Sequence, residues 1–96
     1  MFHAGMSRTH NDIAKRLEMT RRALEKSAAE LSRETGISAN EWSQYINPDK
    51  YKRRITIDHV YLMKDAYGVT LEWIYDGDIS TLSDRLAKKI RQRAAA

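Results

Sequence analysis

The 96-residue chain contains no cysteine. That excludes disulfide staples, cysteine-bound zinc and thiol chemistry. One proline and four glycines leave few points where regular backbone must break, so the sequence is free to be largely helical. No stretch approaches the roughly 20 apolar residues that a membrane span requires, so no membrane partner is expected. The opening MFHAGM is not followed by a sustained apolar run, and no secretory signal is expected there. Met6 is a second candidate start. Also missing are any alternating strand pattern of useful length, any internal repeat and any low-complexity linker. A cytoplasmic, nucleoid-associated protein is the expectation.

What is present is an apolar fraction of 42%, enough for one modest core in a single domain. Ala, Leu, Glu, Lys and Arg are abundant, and the expected class is all-α. The net charge is only +4, but it is unevenly spread. Residues 1–54 carry 11 Lys/Arg against 7 Asp/Glu, and residues 55–84 one Lys against 6 acids. Residues 85–96 carry 5 basic residues and no acid. Basic ends around an acidic middle point to a polyanion meeting the first half and the tail.

Periodicity and punctuation divide the chain. Residues 1–10 read as a flexible lead-in. Thr9 with Asp12 resembles a capping box, opening a first helix from Asn11 to Glu25. Ile13, Leu17 and Leu24 form its inner stripe, and Lys15, Arg16, Arg21, Arg22 and Lys26 its outer faces. Ser27 caps a second helix, Ala28 to Thr35, which Gly36 ends. Ser38 caps a third, Ala39 to Ile46, stopped by Asn47-Pro48. Asp49 to Arg54 reads as a charged loop. Thr56 caps a fourth helix, Ile57 to Tyr67, with Val60, Met63 and Tyr67 inside and Leu62 and Ala66 at the margin. Thr70 caps a short fifth, Leu71 to Tyr75, which Gly77 ends. Leu82, Leu86 and Ile90 mark a last helix of about Ser83 to Arg93, with an alanine-rich end that frays. The expected organisation is a lead-in at 1–10, a main domain at 11–79 and a C-terminal helix and tail at 80–96.

The segment SAAELSRETGISANEWSQY, from Ser27 to Tyr45, carries the most information. Two short helices joined at Gly36 cross at a steep angle if a small residue, here Ser32, lies where they touch. Leu31, Ile37, Trp42 and Tyr45 then point inward. The exposed side of the second member carries Ala39, Asn40, Ser43 and Gln44, short and nearly uncharged. Such a face suits base edges in a DNA groove. A generic αα-hairpin shows similar periodicity.

This segment, together with the later GVTLEWIYDG (Gly68 to Gly77), resembles the Cro/repressor-type, or xenobiotic-response-element-type, helix-turn-helix regulators. The resemblance covers roughly Ile13 to Ile90. It implies a five-helix domain whose second and third helices read DNA, here followed by a basic C-terminal helix. It also implies base-facing positions at Ala39, Asn40, Ser43 and Gln44, where Asn or Gln pairs with adenine and Ala39 meets a thymine methyl. Phosphate contacts follow at Ser38, Asn47, Lys50, Tyr51, Lys52, Arg53 and Arg54. Four such cations give a slope of log affinity against log salt of about −4. The sequence departs from the family at Ala28, where Gln usually anchors a phosphate, so Ser27 or the backbone amides take that part. Ser32 replaces Ala, Trp42 replaces Ile or Val, and Asn47-Pro48 replaces Asn-Gly. Glu41 is repulsive near phosphate unless it accepts from a cytosine amino group or pairs with Arg.

Trp73 reads as a core anchor, and Tyr61, Tyr67 and Tyr75 as core or rim. Asp58-His59 has no nucleophile at diagnostic spacing, and His3, His10 and His59 form no ligand cluster. No catalysis, metal or cofactor is expected. The expected function is a repressor that binds a pseudo-palindromic operator as a homodimer, its half-sites about 34–36 Å apart. The alternatives are an antitoxin-like module that binds a protein partner and a nonspecific nucleoid-associated binder. The last helix either packs on the domain, pairs with a second copy or touches flanking phosphates.

Overall fold

The computed structural model describes residues 9–95 and is all-α, with no strand among them. The first eight residues of the expected lead-in at 1–10 lie outside the described residues. Helix α1 spans His10–Leu24, α2 Ala28–Thr35, α3 Ala39–Ile46, α4 Pro48–Tyr51 and α5 Ile57–Tyr67. A π-helical turn (Glu72–Asp76) and a 3-10 turn (Ile79–Thr81) lead into α6, Asp84–Ala95. The last alanine, at the end expected to fray, lies outside the described residues.

The caps fall where short polar side chains precede each apolar pattern. Thr9, Ser27, Ser38 and Thr56 each accept a hydrogen bond from the backbone N–H three residues on, replacing a partner that a helix start lacks. Ser27 and Glu30 form a reciprocal capping box, which the S-x-x-E spelling announces. Thr70 accepts from the Trp73 N–H and Ser83 from the Leu86 N–H. Helix α1 begins at His10, one residue before the expected start, so the lead-in does not extend to residue 10.

Helix α1 is the hub, packing against α3, α4, the π-helical turn and, most extensively, α6. One continuous core runs from Ile13 and Leu17 through Leu31, Ile37, Trp42 and Tyr45 to Val60, Met63, Trp73, Leu86 and Ile90. Several expectations need correction. Leu24 is only half-buried, and Thr20 and Ala23 complete the inner face of α1 instead. Tyr67 is half-buried, while Tyr61 and Leu62 are exposed. Part of the expected loop after Asn47 is helical, because Pro48 at the first helical position needs no N–H partner and already has a helical φ. The fifth helix exists as a π-helical turn rather than an α-helix.

The largest correction concerns Arg16, expected on an outer face but only 5% exposed. Its Nε donates to the Ile74 carbonyl at 2.8 Å and its Nη2 to the Tyr75 carbonyl at 2.9 Å. Burial lowers its pKa below the ordinary arginine value, yet a guanidinium remains protonated in proteins. A charge-assisted bond contributes about 1.5–3 kcal/mol, so two of them offset much of the desolvation. One turn on, the buried Thr20 hydroxyl donates to the Arg16 carbonyl at 2.6 Å and accepts from Trp73 Nε1 at 2.8 Å. Arg16 and Thr20 thus pin α1 to the π-helical turn.

Thr20→Val keeps the volume but leaves the buried Trp73 N–H without an acceptor. Urea titration should show a loss of about 1–3 kcal/mol, with Thr20→Ser losing less. Equal stability for wild type and Thr20→Val would remove this bond from the account.

Candidate nucleic-acid interface

The pair α2 and α3 is set by three local devices. Gly36 has φ of +87° with nothing within 4 Å of a built Cβ, so the constraint there is backbone conformation and not space. Its N–H donates to the Ser32 carbonyl at 2.9 Å. Thr35, which the sequence reading did not single out, stitches the corner. Its buried hydroxyl donates to the Leu31 carbonyl at 2.6 Å and accepts from the Ile37 N–H at 3.1 Å. Ile37, Trp42 and Tyr45 are each 1% exposed, which fixes the roll of α3 about its axis. The opposite side is then set: Ala39, Asn40 and Ser43 are exposed.

Gln44 is different. It is half-buried, and its Oε1 accepts from Arg53 Nη1 at 2.7 Å. Arg53 Nη2 donates to Glu41 Oε2 at 3.3 Å. The guanidinium carbon lies 5.0 Å from the Tyr45 ring centroid, within reach of a cation–π attraction. Glu41 is further held by Ser38, whose hydroxyl donates to its Oε1 at 3.1 Å. The carboxylate is therefore paired with an arginine. The Tyr45 hydroxyl lies 2.7 Å from His59 Nδ1, and the two rings meet edge to face at 5.7 Å. Glu41, Tyr45 and His59 thus join a polar cluster with Gln44 and Arg53. Its members lie 9 to 14 residues apart where partners are bonded, a separation that helical periodicity does not bridge.

The remaining expected phosphate contacts divide into two groups. Ser27 and Ser38 are exposed but serve as caps. Asn47 Nδ2 donates to the Ser43 carbonyl at 2.8 Å, closing the end of α3. Lys50, Tyr51, Lys52 and Arg54 are exposed, and among the described residues Lys50, Lys52 and Arg54 enter no ion pair. Lys50 Nζ lies 5.2 Å from the Tyr51 ring centroid. Lys52 adopts φ of +49°, its N–H donating to the Pro48 carbonyl, and this bend turns the chain back toward buried Ile55.

Elsewhere much of the positive charge is balanced. Arg21 meets Glu18 at 2.6 Å, Lys26 meets Glu34 at 3.0 Å and Arg93 meets Glu25 at 3.5 Å. Among the described residues, cations in no ion pair lie after α3 (Lys50, Lys52 and Arg54) and on α6 (Arg85, Lys88, Lys89 and Arg91), with Lys15, Arg33 and Lys64 on other helices. Among the described residues no group of three or more His, Asp or Glu side chains is placed to hold a metal ion, and no helix is long and apolar enough to cross a membrane. Comparison with protein-family models, curated proteins and solved structures finds no match to this chain.

Hydrogen bonding from Ser38, with a smaller effect of the Arg53 charge, holds the Glu41 carboxyl below its ordinary value of 4.5. A depressed folded value stabilises the fold above that ordinary pH and ceases to do so as pH falls through the folded value. Carboxyl NMR titration should give a Glu41 midpoint below 4.5, raised more by Ser38→Ala than by Arg53→Gln. A larger rise from Arg53→Gln would reverse that ranking of causes.

Proposed function

We propose that this chain is a sequence-specific double-stranded DNA-binding regulator of the Cro/repressor helix-turn-helix type, with α3 entering the major groove. The observation that carries the reading is the face of α3. Trp42 and Tyr45 are turned fully inward and Ala39, Asn40 and Ser43 outward, and Lys50, Lys52 and Arg54, in no ion pair among the described residues, follow within eight residues of the helix end. Groove readers need such a division, with short uncharged groups for base edges and cations for the flanking phosphates. Ser27 and the first amides of α2 stand in for the glutamine that Ala28 replaces. Binding as a homodimer to a pseudo-palindromic operator, with repression by steric exclusion, completes the proposal.

A second reading, an antitoxin-like module that binds another protein and autoregulates its operon, draws on one feature. Ile57, Tyr61 and Leu62 of α5 are 56%, 48% and 37% exposed, an apolar surface that takes no part in base contacts from α3. Retention of specific DNA binding by Ile57→Lys/Tyr61→Lys, with unchanged oligomeric state, would favour the second reading.

Selection from a random duplex pool should return a defined motif with two half-sites about one helical turn apart. A footprint without sequence preference would indicate nonspecific binding instead. With Arg53 engaged on α3, three loop cations remain for phosphate, and the slope of log affinity against log salt should be about −3 rather than −4. Replacing Lys50, Lys52 or Arg54 singly by Gln should reduce that slope by about 1 while leaving the selected motif unchanged. A changed motif would count against a phosphate role.

A further inference from the structure

We propose that Gln44 and Arg53 act as one donor pair that selects guanine, so that Arg53 is a specificity-determining side chain and not a phosphate contact. The inference rests on the DNA-reading role given above and concerns which base the face of α3 accepts. A free glutamine offers both a donor and an acceptor, the combination that matches the N6 and N7 edge of adenine. Gln44 is not free. Arginine can only donate, so the 2.7 Å contact fixes the Gln44 carbonyl oxygen toward Arg53 Nη1 and turns the amide NH2 away from it. What the amide still presents without competition is two N–H donors.

Arg53 adds donors of its own. It carries five N–H groups, of which one is spent on Gln44 and one on Glu41. The Tyr45 ring, 5.0 Å from the guanidinium carbon, holds the group against α3. Both Glu41 oxygens already accept a bond, Oε1 from the Ser38 hydroxyl and Oε2 from Arg53, so a cytosine amino group would have to share an oxygen with one of them. The surface of this pair is therefore rich in donors and carries the positive charge of the guanidinium. Guanine shows two acceptors in the major groove, N7 and O6, whereas adenine shows one acceptor and an amino donor. A second bond from adenine N6 to the Gln44 oxygen would set that amino group beside a cation already bonded to the same atom. Guanine meets no such opposition.

The test is selection of bound sequences from a random duplex pool by wild type, Gln44→Ala, Arg53→Gln and Arg53→Lys, with binding constants for the top motif and its single-base changes. The position whose preference weakens in Gln44→Ala should be guanine in the wild type. Changing it to adenine should weaken binding by roughly 5- to 150-fold, as for one bidentate base contact. Arg53→Gln, which keeps an amide but removes the cation, should shift the preference at that position toward adenine. Arg53→Lys, lacking the planar fork, should lose part of the guanine preference. Adenine at the Gln44-dependent position in the wild type, or a motif unmoved by either Arg53 variant, overturns the guanine assignment and leaves DNA reading intact. A wild-type pool with no motif overturns sequence-specific reading itself and the guanine assignment with it. Circular dichroism of each variant should match wild type, since Arg53 lies outside the core.

Discussion

The fold depends on a buried polar seam between α1 and the π-helical turn. Arg16 reaches two successive carbonyls, Ile74 and Tyr75, and Thr20 holds the Trp73 indole N–H. A π-helical turn pairs its backbone in an unusual register, and the Arg16 bonds fall on its last residues, where helix carbonyls lack partners. The seam closes the far end of the chain onto the hub helix. α6 then covers the other side of α1 with Leu86, Ala87 and Ile90 buried. Because α1 also packs on α3 and α4, its position determines how the exposed face of α3 projects from the body.

That projection is reinforced from the opposite side. Tyr45 bridges from α3 to His59 on α5, and Tyr75 donates its hydroxyl to the Ile55 carbonyl just beyond the basic loop. Lys26, Glu34 and Tyr67 link the start of α2, its last turn and the end of α5 by bonds of 3.0 and 2.6 Å. Burial, with the nearby Glu34 carboxylate, raises the Tyr67 hydroxyl pKa, so it stays a donor to that carboxylate across the physiological range. The helix pair is thus braced at both ends, and its polar face rides on rigid elements, which suits readout at fixed positions.

Features set by neighbouring residues were legible in the sequence, and features set by distant ones were not. Ser27, Ser38, Thr56 and Gly36 act within four residues of themselves, and each sits where the spelling put it. Ile37, Trp42 and Tyr45 face the core as their spacing required. Arg16 was assigned outward because a cation on an amphipathic helix normally belongs in water, and its acceptors lie 58 and 59 residues away. Proline after asparagine signalled a stop, although the same residue opens α4. For the candidate site, the outward positions of Ala39, Asn40 and Ser43 followed from period alone. The capture of Gln44 and Glu41 by Arg53 did not, since no periodic rule connects α3 to a side chain beyond α4. At Trp42 local and global demands conflict. Its indole Nε1 is buried without a protein partner, a cost of about 1–3 kcal/mol accepted for a large apolar contact.

A paired-half-site binder also needs a self-complementary surface, and the structure narrows where one can lie. The apolar stripe of α6 is consumed within its own chain, and its outer face carries Arg85, Lys88, Lys89, Arg91 and Arg93 with no acid between them. Two such faces repel. On α5, Ile57 and Tyr61 are exposed one turn apart, next to Asp58, Lys64 and Asp65. These side chains are of mixed sign, so α5 offers apolar surface without the one-signed charge of α6 and fits the homodimer proposed above better than α6 does. The basic helix is then left facing outward, its charge unspent by any contact between copies.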